Sequence, residues 1–306
     1  MRKFTFKLLI FSFTLLIFGN ISAQTDRAWW NTLSPEWKRV IQKQQFKGKD
    51  VNPTDEQLLE ISKMTFLDLA NNKEVKTLKP ASQLQILEVI KCNNSSIESL
   101  EGIENLINLK ELDCSDNDNI NSLIPIANLP NLEDLNCGNT MVKSLFPLRG
   151  MKKLKKLDLH YTTIVDLRIL KDNTAIEYLD VSDNISLYSL DGVNFMFQLR
   201  ELNCSKTNID DLTPLSLLPT LERVDCSNTK VFTLRPLQPI KTLTDIDCSD
   251  TPINAKSLDY LIGLSRLTML RCKNIAIEEA EIKFFEGLIQ KKNVNATIII
   301  TKKVIK

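Results

Sequence analysis

The sequence predicts an α/β solenoid of stacked repeats. Short parallel strands line one side, 3₁₀ or extended segments line the other, and a helical cap and a helix-strand cap close the two ends. Three observations predict it. A skeleton of Leu, two residues, Leu, one residue and then Cys or another small apolar residue recurs ten times at intervals of 22 to 24 residues. The residue between the last two apolar positions is polar in every unit, so the side chains alternate with the period of a strand. A unit this short cannot bury its own apolar face and has to stack on its neighbours.

Residues 1–23 open with Arg2, Lys3 and Lys7, continue with an apolar run from Leu8 to Phe18, and end on Ile21-Ser22-Ala23. This is the pattern of a cleavable secretory signal, with cleavage expected after Ala23. The run is shorter than the roughly 20 residues of a spanning helix, and no Cys follows the expected cleavage point to carry a lipid. The mature chain is expected in a periplasm or outside the cell, without stable membrane insertion. Its loss of three basic residues turns a formal net charge of +1 into −2.

Residues 24–63 fall outside the repeat and predict two helices. Ser34-Pro35-Glu36 is an N-cap with Pro at the first helical position, and Thr54-Asp55-Glu56-Gln57 is a capping box. Trp29, Trp30 and Trp37 all lie here. They are expected to cover the apolar end of the first repeat rather than to bind a ligand.

The ten repeats occupy residues 64–277. Numbering each unit from its first Leu, position four runs from Leu67 and Ile90 to Ile246 and Leu270, apolar throughout. Position six reads Leu69, Cys92, Cys114, Cys137, Leu159, Val181, Cys204, Cys226, Cys248, Cys272. An Asn, Ser or Thr at position nine (Asn72, Ser95, Asn117, Thr140 and onward to Thr251) turns the chain inward by bonding backbone groups. The units with Asn72, Asn117 and Asn184 carry one extra residue after it, which predicts that Asn serves a wider corner. On the return leg an apolar residue falls at every third position, with Pro80, Pro125, Pro147, Pro214 and Pro236, which predicts 3₁₀ turns or extended segments.

These columns resemble the bacterial 22-residue leucine-rich repeat class, to which the internalins belong. The resemblance covers residues 64–277, and it implies a right-handed leucine-rich repeat solenoid with the parallel sheet on its concave side. Ten strands at about 4.8 Å give a sheet roughly 45 Å long, suited to a macromolecular partner. The chain shows no Leu-Pro-x-Thr-Gly sorting motif, so the resemblance is not extended to wall anchoring or host invasion.

Residues 278–306 predict the C-terminal cap: an amphipathic helix over Glu278 to Gln290, with Ile282, Phe285, Leu288 and Ile289 on one side, and a strand over Ala296 to Thr301. Lys302, Lys303 and Lys306 would blunt that edge against pairing with other chains.

All seven cysteines occupy the inward position six, where other repeats have Leu or Val, so they are expected to be reduced, buried and structural. Parallel Cβ vectors on neighbouring strands stand wider apart than a disulfide requires. No metal site is expected from them. Asp113, Ser115 and Asn117 alternate like the start of a calcium loop, but the turn Gly and the terminal Glu are missing.

Positions three, five, seven and eight are expected to face solvent on the concave sheet, where this repeat class binds partners. Across repeats three to nine, positions three, five and eight carry twelve carboxylates against Lys156, Lys206 and Arg223, bracketed by Lys91 and by Arg271 and Lys273. An acidic strip predicts a protein or peptide of basic character and disfavours nucleic acid. The candidate contacts are Asp113, Asp158, Asp180, Asp225 and Asp247, with His160 and Tyr161 at the middle of the sheet as anchors. A glycan is the alternative partner, weakened because Tyr161 is the single aromatic counted in the concave set; a carboxylate row that only solvates the sheet is the bland reading. One His and no phosphate loop, nucleophile elbow or zinc-protease motif predict no enzymatic activity and no cofactor.

Overall fold

In the computed structural model, described for residues 26–292 and 296–303, the repeat becomes one sheet of eleven parallel strands in strict sequence order. Nine strands are three residues long: β1 (Phe66–Asp68), β2 (Val89–Lys91), β3 (Glu111–Asp113), β4 (Asp134–Asn136), β5 (Lys156–Asp158), β6 (Tyr178–Asp180), β7 (Glu201–Asn203), β8 (Arg223–Asp225) and β9 (Asp245–Asp247). β10 (Met269–Ile275) and β11 (Thr297–Lys302) are longer. The register equates position five with position five throughout, as in Asp158↔Asp180 and Asp225↔Asp247. Position four is buried in every strand while positions three and five stay on the opposite, more accessible face. The segment expected to be a secretory signal lies outside the described residues.

Between β1 and β10 every return leg except the one after β2 carries a 3₁₀ turn, with Pro in the first turn of those at Lys79–Gln83, Ile124–Ile126, Phe146–Leu148, Thr213–Leu215 and Arg235–Leu237. Pro fits there because its missing N–H has no partner to lose and its fixed φ suits the turn. Leu123, Ile126, Leu129 and Leu132 are all buried, so the spacing of three faces a single core running the length of the molecule.

Position nine solves the inward turn in two ways. Thr140, Thr162, Thr207, Thr229 and Thr251 each donate Oγ1 to the carbonyl three residues back. Asn117 reaches further: its Nδ2 donates to Cys114 and Ser115 and also to Cys92 of the preceding repeat. Asn184 does the same with Val181, Ser182 and Leu159. The longer amide thus ties each of these corners to the preceding repeat.

At the N-terminal end, residues 26–32 form a helical turn, followed by α1 (Pro35–Phe46) and α2 (Asp55–Ser62). Thr54 and Gln57 form the expected capping box. Trp30 and Trp37 are buried, and the indole N–H groups of Trp37 and Trp29 donate to the carbonyls of Thr77 and Pro80 in the first repeat. The tryptophans therefore satisfy backbone acceptors of the repeat as well as covering its apolar end. At the other end, after the short α3 (Ala255–Leu258), α4 (Glu279–Lys292) buries Phe285 and Ile289, and β11 pairs with β10. Lys302 forms the end of β11 rather than following it, and pairs with Glu278.

Candidate functional site

Each concave column has a structural duty that precedes any contact. At position five, one carboxylate oxygen closes a turn. The Oδ1 atoms of Asp113, Asp158, Asp180, Asp225 and Asp247 accept the backbone N–H two residues on, at 2.8 to 3.2 Å. Asn136 and Asn203 make the same bond at 3.0 and 3.1 Å. In these seven repeats the turn uses an oxygen at this position and not a charge, while repeats two and ten, with Lys91 and Arg271 there, do without the bond. Oδ2 of Asp113, Asp158, Asp225 and Asp247 accepts no hydrogen bond among the described residues, so each carboxylate is held by one oxygen and leaves the other unused.

Asp180 differs. It is 8 % exposed, and its Oδ2 accepts from Asn203 Nδ2 at 2.8 Å and from the Tyr178 hydroxyl at 3.4 Å. The expectation of an exposed contact there gives way to a buried bracket joining β6 and β7. Desolvation, helped by neighbouring Asp247 and Asp180, pushes the Asp225 carboxyl up from its ordinary value.

At position three the charges are largely cancelled. Glu111 pairs with Lys91, Asp134 with Lys156, Glu201 with Arg223 and Asp245 with Arg271. Of the cations expected to bracket the strip, Lys91 and Arg271 are thus engaged inside it, and Lys273 has no ion pair among the described residues. What stays uncompensated is position five: among the described residues Asp113, Asp180, Asp225 and Asp247 have no ion pair, and Asp158 has only His160.

Positions seven and eight are not concave contact positions in the sense expected. Ser115, Ser182, Ser205 and Ser249 at position seven are buried, because the chain is already turning inward there. Position eight takes the left-handed conformation in all ten repeats, with φ between 48° and 60°. That region favours Asn and Asp, whose short polar side chains tolerate it, and so explains Asp116, Asp183 and Asp250 without reference to a ligand.

Tyr161 is the departure. An aromatic residue occupies the left-handed position at φ 48° and is 62 % exposed. Its neighbour His160 departs from the Ser of position seven and places Nδ1 2.7 Å from Asp158 Oδ1. The hydrogen bond to Asp158 raises the imidazole pKa above its ordinary value, against partial desolvation, with Asp180 and Asp116 adding to the rise. The ring lies over Gly138, the residue at position seven of the preceding repeat. A Cβ there would fall inside the imidazole, nearest Nδ1. Gly138 and His160 are therefore one feature spread over two repeats. Tyr178, at position three of β6, is a second concave aromatic; it is half-buried against Asp180.

The seven cysteines are free and buried. Sγ of Cys137, Cys204 and Cys248 donates to the facing strand's carbonyl at 3.3 to 3.6 Å, and Cys248 and Cys272 sit with their sulfurs 2.8 Å apart. Burial pushes the thiols of Cys92, Cys114, Cys137, Cys204, Cys226 and Cys248 well up, away from the reactive thiolate. Among the described residues no three His, Cys, Asp or Glu side chains are grouped to hold a metal ion, and no helix is long and apolar enough to cross a membrane.

Beside the sheet, on the flank where the chain turns inward, repeats three to six form an open groove of about 410 Å³. Its ends are the wider corners carrying Asp118 and Ile185, and its floor is the tighter corners at Met141 and Thr163, with Tyr161 projecting into it.

No family model matches the sequence, and no curated protein is similar to it in sequence. Solved structures are similar in fold. An internalin, InlF of Listeria monocytogenes, superposes with a TM-score of 0.66 at 19% identity, over 89% of this chain and 91% of that one. A leucine-rich-repeat protein of Leptospira interrogans gives 0.69 at 24% identity, over 80% of this chain and 62% of its own. The functional domain of InlJ of Listeria monocytogenes, described as including a cysteine ladder, gives 0.64 at 21% identity, over 87% of this chain and 59% of that one.

Proposed function

We propose that this chain, an internalin-like leucine-rich-repeat solenoid of bacterial type in its fold, is a non-catalytic binding module that holds a basic protein or peptide on its concave face. The observation that carries the reading is the contrast between two neighbouring columns. The carboxylates of position three are each matched by a cation, whereas Asp113, Asp225 and Asp247 at position five are held by one oxygen and have no ion pair among the described residues, and Asp158 has only His160. Fixed charges in a row need little ordering when a complementary chain arrives, and they steer its approach. The proposed contacts are Asp113, Asp158, Asp225 and Asp247, with Asp180 holding Tyr178 in place, His160 at the centre and Tyr161 on the flank beside it.

The same reading places the mature chain outside the cytoplasm, after removal of residues 1–23. The test is capture of partners from the native environment by wild type and by a variant with Asp→Asn at 113, 158, 225 and 247. Asn keeps the turn-closing oxygen, as Asn136 and Asn203 show, and removes the charge. Wild type is expected to retain basic proteins that the variant loses, and to release them as salt rises. Partners retained equally by both, or retained at high salt as a neutral glycan would be, refute the reading.

A further inference from the structure

The flank groove differs from the concave face in both shape and chemistry. Its walls arise from the wider corners of repeats three and six, where one extra residue follows Asn117 and Asn184, and its floor from the two Thr corners between them. Three strand spacings separate the walls, roughly 14 Å, the reach of about four extended residues. Apolar surface is exposed there: Tyr161, Met141 and Ile185 are all at least 47 % accessible. The side chains lining the groove include Asp118 and Asp183 and no Lys or Arg. Lys206 engages Asp183 from outside the groove, while Asp118 has no ion pair among the described residues.

Tyr161 supplies the second, independent observation. Its column otherwise contains Asn, Asp and one Lys, residues suited to a left-handed corner or a solvated stem, and Tyr gains nothing there from burial. An exposed aromatic face that shares a groove with an unpaired carboxylate suits a planar cation, which can stack on the ring and donate two parallel hydrogen bonds to the carboxylate. An ammonium matches only the charge.

We propose that this groove receives an arginine side chain of an extended segment of the partner, with the guanidinium stacked on Tyr161 and paired with Asp118, and the segment's apolar side chains against Met141 and Ile185. The inference rests on the reading of this chain as a binding module for a basic protein or peptide, and it assigns a second surface to that partner, beside the concave column.

The test uses the full mature chain and a blocked pentapeptide, acetyl-Gly-Ser-Arg-Ser-Gly-amide, with its Gln counterpart as the uncharged control, followed by amide NMR at millimolar peptide. The Arg peptide is expected to shift the Asp118, Met141, Tyr161 and Thr163 signals saturably, and the Gln peptide to leave them in place. Tyr161→Asn, which suits the left-handed corner better than Tyr, and Asp118→Asn are each expected to weaken binding about threefold or more. Phe232→Ser, which removes exposed apolar surface on another repeat, is expected to leave it unchanged. Equal shifts with both peptides, or no shift at the groove, overturn the proposal. Shifts confined to Asp225 and Asp247 overturn it while leaving the concave reading in force.

Discussion

Substituting Gly138 by Ala inserts a methyl group where the His160 ring lies, and the structure sets the size of the effect. The added Cβ overlaps the imidazole nearest Nδ1, so the ring must leave its place over the preceding repeat. Overpacking of this kind costs about 1–3 kcal/mol. Moving the ring also gives up the 2.7 Å contact of Nδ1 with Asp158, a bond to a charged acceptor worth about 1.5–3 kcal/mol. The two costs are alternatives, since displacement relieves the overlap, and the backbone gains about 0.4–1 kcal/mol from Ala because φ at residue 138 is not positive. The net expectation for Gly138→Ala is a loss of about 2 kcal/mol. His160→Ser restores the residue that repeats three and six to nine carry at this position, and its hydroxyl can bond Asp158 as Ser115 bonds Asp113. In that background Ala at 138 should be neutral or slightly stabilising. A double-mutant cycle from urea midpoints therefore predicts a coupling energy of about 2–3 kcal/mol between two residues in different repeats. If the two effects add to within about 0.5 kcal/mol, the ring is not seated over Gly138 and the reasoning fails.

Further expectations follow from the same geometry. Because Asp158 raises the His160 pKa above 6.5, the imidazolium's contribution is complete below that value and fades as pH rises through the higher folded-state pKa. The stability difference between wild type and His160→Gln should then be larger at about pH 5.5 than at about pH 8.5, and an equal difference at both contradicts the pairing. Asn184→Ala leaves the buried Val181 carbonyl without a donor and the Thr162 N–H without its acceptor, and should cost about 3 kcal/mol by urea unfolding; a cost near zero would remove the argument for Asn at wide corners. A water-soluble thiol reagent should label none of the cysteines in the native chain and all seven in denaturant, whereas rapid native labelling would show that the column is not the buried structural element described.

The stacking direction, the register and both caps were legible in the sequence. Period-two alternation fixes which side chains face inward, and a capping box at Thr54 announces a helix whatever lies beyond it. The concave columns were harder because one residue type serves two purposes. Asp at position five satisfies a backbone turn and also carries charge, and its sequence does not separate the two. The clue was Asn136 and Asn203 in the same column, since Asn closes the same turn without a charge. Position eight was misread for a related reason: Asp116 and Asp183 look like an acidic column until the left-handed backbone explains them. Counting carboxylates drew attention away from Tyr178, although it occupies a concave position. The link between Gly138 and His160 left a trace too, as two departures from Ser at position seven in consecutive repeats, but only side-chain packing shows that one makes room for the other.

The central claim is that the uncompensated position-five carboxylates bind a basic partner while their second duty, closing turns, is met equally well by Asn. The most direct measurement is a calorimetric titration of the captured partner into wild type and into the variant with Asp→Asn at 113, 158, 225 and 247, both first shown to be fully folded at the titration temperature. Removal of four fixed charges predicts at least a roughly tenfold loss of affinity at low salt, narrowing as ionic strength rises. Equal affinity of the two folded proteins would contradict the claim, and the row would then be only the means by which this sheet closes its turns.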